Sequence, residues 1–224
     1  MSNTLHIYVD ELGDVGPFDS KSPIYLISLV FLDRVTARNK GLSAFKKAER
    51  QFGEGTFIHV GNLIRGEYPY EEIPRERRQA LFWSFFSYAA GIDFRFMTVK
   101  AEKQGLNSSE QLRETLKKKL FVSINANASF FSDYESIIVH YDGGQELCTK
   151  ILRDVFLSSF DRVAFEKTMQ FDDIHMQIAD LMCVLGNLHH KVKYGRLSHS
   201  EEDFLGKRRM IKKEVLGRFK HKKL

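Results

Sequence analysis

Apolar positions recur along the chain with two periods. Leu5 to Val9 alternates as a strand, and IYLISLVFL, residues 24–32, is a continuous apolar run that suits a strand covered on both faces. From Thr36 to Gln51 the pattern becomes polar and helical. Pro74 opens a second helix, with Phe82, Phe85, Phe86 and Ala89 at i, i+3, i+4 and i+7, and Gly91 ends it. A strand at 92–100 follows. Ser108, with Gln111 three residues on, is a capping-box signature for the next helix, and ESIIVHYDGG, residues 135–144, reads as a strand closed by glycines. A helix from Gln145, a strand over 162–171 and a long helix over 172–192 complete the series. The order is strand, strand, helical insertion, strand, helix, strand, helix, strand, helix.

Strands that feed helices and return to strands build an α/β fold, here a mixed sheet flanked by helices. The predicted organisation is one domain over residues 1–199, with a helical insertion at about 33–90, and a basic extension over 200–224. That extension ends in GKRRMIKKEVLGRFKHKKL, where nine Lys and Arg face one Glu, whereas the whole chain carries a net charge of only +5. Local cations of this density attract polyanions such as nucleic acid; the blander reading is a solvated terminus. No apolar run reaches the ~18 residues of a membrane span, and the N-terminus lacks the basic start and apolar middle of a secretion signal. A cytoplasmic protein without membrane contact is expected, with Cys148 and Cys183 as reduced, buried thiols.

In α/β sheets reactive groups collect at strand ends. Asp10 and Asp142 each stand just past a buried strand, so parallel pairing of the two strands would bring them into one crevice. In the last helix Asp173, Gln177, Asp180 and Val184 share a stripe, while Ile174, Ile178, Leu181, Leu185 and Leu188 share another that should face the sheet. Asp180 therefore borders the core. Carboxylates held together raise one another's pKa, and a cluster is stable near neutral pH chiefly when divalent cations neutralise it. Oxygen ligation points to Mg²⁺ or Mn²⁺.

IYVDELGDVG near the start and HMQIADLMCVLGN in the last helix together resemble the domain of unknown function 3800 family, over roughly residues 5–190. The resemblance implies a ribonuclease H-like fold and a metal-dependent nuclease-type site. It aligns Asp10, Glu11 and Asp14 with the family's first motif, Gln177 and Asp180 with its second, and Asp142 with an acidic strand end between them. His59, in FIHVGN, matches a histidine-bearing segment. Leu12 departs from the family's usual serine. The mechanism expected is a two-ion clamp on a phosphodiester, with the ions about 4 Å apart. Asp10 would bridge, Asp142 and Asp180 would each hold one ion, and Glu11 or Asp14 would complete the set. Gln177 would orient Asp180, and His59 would move protons.

Two other classes compete with the nuclease. A haloacid dehalogenase-type phosphatase also places an Asp after its first strand, but needs a second Asp where this chain has Leu12. A non-catalytic nucleic-acid-binding protein would rely on the basic tail alone. The remaining features have structural readings: Asp172 and Asp173 as helix caps, His189 and His190 as solvent or tail contacts, Lys117 to Lys119 as a solvated face, and Trp83 with its Phe neighbours as core.

Overall fold

A computed structural model describes residues 3–33, 50, 58–169 and 173–224. The expected helix from Thr36, the end of the fifth strand at 170–171 and Asp172 lie outside the described residues. Five strands form one sheet in the order β3-β2-β1-β4-β5, comprising β1 (Thr4–Leu12), β2 (Ile24–Leu32), β3 (Arg95–Glu102), β4 (Ser136–Tyr141) and β5 (Val163–Lys167). β1 pairs antiparallel with β2, and β2 antiparallel with β3, whereas β1–β4 and β4–β5 are parallel. The mixed α/β sheet flanked by helices is thus the fold expected from the sequence. β2, the continuous apolar run, is buried at all nine positions because helices cover both faces of the sheet.

One face carries α1 (Val60–Arg65), α2 (Arg75–Gly91), α6 (Ile174–Tyr194) and α7 (His199–Leu205). Tyr8, Val30 and Leu32 meet Phe82, Phe85, Ile178 and Leu181 there. The other face carries α3 (Ser109–Ala126), the short α4 (Ala128–Phe131) and α5 (Glu146–Ser159), packed on Leu5, Ile7, Val9 and Val139. Alternation along β1 fixes the division: even residues from His6 to Asp10 point to the α6 side, odd ones to the α5 side.

Local signals explain several boundaries. Ser108 Oγ accepts the Gln111 N–H at 3.2 Å, while Gln111 Oε1 takes the Asn107 N–H at 2.7 Å, one residue before the reciprocal partner of an ordinary capping box. Asp173 caps α6 through the His175 N–H. β3 starts at Arg95, later than the pattern suggests, because Ile92 and Phe94 leave the sheet to join the core beside Phe219.

The basic C-terminal segment is folded down. Phe204, Leu205, Ile211, Val215 and Phe219 are buried in the same core as α6. Lys222 donates Nζ to the Ile92 carbonyl and lies over the Phe94 ring. His190 corrects the surface reading: it is 4% exposed, with Nδ1 3.1 Å from Lys100 Nζ, because α6 runs over β3 before it reaches solvent. His189 is on the exposed side. Trp83, Phe82, Phe85 and Phe86 are core aromatics, and both cysteines are buried and free.

Candidate active site

Tyr8 of β1 lies opposite His140 of β4, and two further residues in the same parallel register bring Asp10 beside Asp142 at the carboxyl end of the sheet. Asp10 is 8% exposed and projects toward α6, where Asp180 is 4% exposed. Burial pushes the Asp10 carboxyl well above its ordinary range, and Asp180, Glu11 and Asp142 push it further. Four carboxyls from β1, the end of β4 and α6 are therefore coupled in one cluster.

Glu11 leans the other way, toward the start of α5. Burial is the main cause that raises its carboxyl to about 7; the adjacent Tyr141 hydroxyl opposes the shift and Asp142 adds to it. Among the described residues, Glu11 Oε2 is buried without a hydrogen-bond partner. Glu11 Oε1 and Asp142 Oδ1 lie 3.0 and 3.2 Å from the point a Cβ on Gly144 would occupy, so glycine leaves room between two acids. Asp142 Oδ1 also accepts the Gly144 N–H at 2.8 Å, which fixes the turn after β4.

Asp180 has a second duty. Its Oδ2 accepts the Val60 N–H at 2.6 Å, and Gln177 Oε1 accepts the Ile58 N–H at 3.0 Å. These bonds hold the entry to α1 against α6 and bury the stripe of Gln177 and Asp180 that helical spacing leaves at the border of the core. His59 sits between them as the N-cap residue of α1. Its Nδ1 is buried without a hydrogen-bond partner among the described residues. Burial raises the Asp180 carboxyl, while the neighbouring His59, the Val60 N–H and Arg65 counter it.

Asp14 is placed differently. Its Oδ1 meets Lys103 Nζ at 2.9 Å, and Lys103 is only 2% exposed. Ser22 first, then Lys103, holds the Asp14 carboxyl below its ordinary value. That ion pair fixes the loop after Gly13. Leu12 packs against Ile24, Leu26 and Cys183, so an apolar contact fills the position where a phosphatase needs its second acid.

Sequence reasoning missed the polar column behind the acids. His6 Nδ1 lies 2.9 Å from His140 Nε2, and His140 Nδ1 lies 3.0 Å from Thr168 Oγ1. The Tyr8 ring stacks on His140 at 4.5 Å, and its hydroxyl donates to Asp173 Oδ2 at 3.1 Å. The available signal was alternation: His6, Tyr8 and Asp10 on β1, with His140 and Asp142 on β4, put polar groups on one face of buried strands. Cys183 Sγ, which donates to the Asp10 carbonyl at 3.0 Å, carried no such signal.

The donor set is chemically suited to a hard divalent cation, since it is all oxygen, crowded with like charge and includes an unpartnered buried carboxylate oxygen. Among the described residues no three His, Cys, Asp or Glu side chains converge on a single point. Mg²⁺ needs fewer protein ligands than that, commonly taking one or two carboxylates and completing its shell with water and substrate phosphate. Among the described residues no helix is long and apolar enough to cross a membrane.

No protein-family model matches the chain, and no curated protein matches it. Among solved structures it is similar to the ribonuclease HII of the PCNA:RNase HII complex from Archaeoglobus fulgidus, at 12% identity and TM-score 0.39, over 95% of this chain and 89% of that one. It is also similar to Bst-RNase HIII, as a glutamine-to-alanine point mutant and as a complex with Mn²⁺, at 12% and 11% identity and TM-scores of 0.36 and 0.37. In both cases 97% of this chain covers about two thirds of the other, 64% and 65% respectively. Likeness of that degree leaves the functional reading to the residues themselves.

Proposed function

We propose that the chain is a divalent-cation-dependent nuclease, hydrolysing phosphodiester bonds of nucleic acid at the cluster of Asp10, Glu11, Asp142 and Asp180. One observation carries the reading: the parallel register of β1 and β4 sets a buried Asp10 beside Asp142, with Glu11 next to it on β1 and buried Asp180 facing it from α6, close enough for all three acids to raise its carboxyl. Such an arrangement is costly as a structural device and favourable as a cation-binding one. Mg²⁺ or Mn²⁺ bound there would activate water and stabilise the departing oxygen.

The chain's own residues supply the rest. Asp10 occupies the centre, with Glu11 and Asp142 on one side and Asp180 on the other. The Val60 N–H occupies Asp180 Oδ2, which would leave Oδ1 as the oxygen to hold a cation. Gln177, one turn before Asp180, holds the segment that carries His59 through the Ile58 N–H. His59, next to Asp180 and with Nδ1 unpartnered among the described residues, is the group placed to move a proton.

The test is a panel of end-labelled single-stranded, double-stranded and hybrid oligonucleotides incubated with Mg²⁺ or Mn²⁺. Cleavage by the wild type, absent with EDTA and in Asp10→Asn, is expected. No product from any substrate, or equal product from Asp10→Asn, would refute the assignment.

A further inference from the structure

A second charged feature lies along the β3 edge of the same sheet. Lys100 of β3 pairs with Leu26 of β2, which pairs with Leu12 of β1. Lys100 is therefore level with the end of β1, two strands away, or about 10 Å at the usual strand spacing. Lys119 reaches round the β3 edge from α3 and donates Nζ to the Lys100 carbonyl at 2.8 Å. The C-terminus closes on the same strand: Lys223 forms a parallel bridge with Phe96, and the Leu224 N–H donates to the Phe96 carbonyl at 2.9 Å. Lys193 extends from the last turn of α6.

These lysines come from four separate elements; Lys100, Lys193, Lys220 and Lys223 act on exposed His189, and Lys119 lies beside Lys100. Burial, then Lys100, Lys223, Lys193 and Lys220, lowers the pKa of that histidine. Lys100 has Glu102 at 3.7 Å. Among the described residues Lys119, Lys193, Lys220 and Lys223 form no ion pair, and all four are exposed. Gathering like charges without partners has a cost that an anionic ligand removes.

We infer that Lys100, Lys119, Lys193, Lys220 and Lys223 form a docking surface for the phosphate backbone of nucleic acid, separate from the acidic cluster. The inference rests on the nuclease reading for its choice of polyanion. α6 links the two places: Lys193 follows Asp180 by thirteen residues on one continuous helix, about 20 Å at 1.5 Å per residue. A strand advancing about 3.4 Å per nucleotide covers that distance in roughly six nucleotides, so one substrate reaches both.

The experiment measures binding of a labelled 20-nucleotide duplex and its single strand in EDTA, by anisotropy, across a salt series. Lys193→Ala/Lys220→Ala/Lys223→Ala is compared with a control that removes equal charge from the opposite face, Lys118→Ala/Lys150→Ala/Arg153→Ala. The first variant should weaken binding roughly tenfold or more and reduce the salt slope by about 2 to 3, while the control stays within about twofold of wild type. Equal losses in both variants, at unchanged melting temperature, would overturn the surface. So would binding to phosphatidylserine vesicles with none to either oligonucleotide. Cleavage without a patch effect defeats this inference and leaves the nuclease standing; a patch effect without cleavage under any divalent ion does the reverse.

Discussion

Asp180 Oδ2 accepts the Val60 backbone N–H at 2.6 Å, across 120 positions of sequence, so a residue of the acidic cluster also pins the start of α1. The two duties separate by substitution. Asp180→Ala leaves a buried N–H unpaired and should cost about 1–3 kcal/mol. Asp180→Asn keeps an acceptor and removes a buried charge, so it should be at least as stable as wild type in EDTA. Urea denaturation of both variants checks this, and equal destabilisation would contradict it.

Glu11 gives the protein a pH dependence with a definite sign. Its carboxyl is raised in the fold from 4.5 to about 7, so folding favours the protonated form. The stabilisation is complete below 4.5 and is lost as pH rises through about 7. In EDTA, wild type should lose stability relative to Glu11→Gln between those values and stay parallel above them. Mn²⁺, which binds the ionised form, should narrow the gap once the pH is above that window. Denaturation midpoints of the two proteins, followed from below the lower value to above the upper one, provide the measurement.

Gly13 makes the turn that follows the acids. Its φ is +115°, and a Cβ there would lie 2.6 Å from the Ile24 carbonyl oxygen. Gly13→Ala should therefore cost about 1–3 kcal/mol, seen as roughly 2–4 °C in melting temperature per kcal/mol. Gly143, at φ +82° with nothing within 4 Å of a built Cβ, should tolerate alanine better. Thermal melts of the pair decide it.

Gln177 and His59 act through one segment. Gln177→Ala frees the Ile58 N–H and should lower both stability and nuclease turnover, whereas His59→Ala should lower turnover and leave melting almost unchanged. A pH–rate profile that loses a limb in His59→Ala would support proton transfer; an unchanged profile would remove it from the mechanism.

Much of the architecture was legible because it is periodic. β2 declares itself as nine apolar residues, and α6 as a stripe that continues from Ile174 to Leu188. Asp10 and Asp142 could be paired on paper because each follows an apolar run and parallel pairing sets the two side by side, although β1 continues through Asp10 as far as Leu12. What depends on long-range contact was hidden. The Lys103 partner of Asp14, the Val60 partner of Asp180 and the burial of His190 under Lys100 each join segments with no shared spacing. The C-terminal segment reads as a cation run, yet its apolar positions, Phe204, Ile211, Val215 and Phe219, dock it on the core, while most of its lysines remain at the surface.

The central claim is that the crowded acids exist to bind a divalent cation, and calorimetric titration of Mn²⁺ into the metal-free protein at neutral pH tests it most directly. The account predicts a saturable heat that varies with the ionisation enthalpy of the buffer, because Glu11, raised to about 7, releases protons on binding, and the loss of that heat in Asp10→Asn. No saturable heat in wild type, or an unchanged titration in Asp10→Asn, would contradict it.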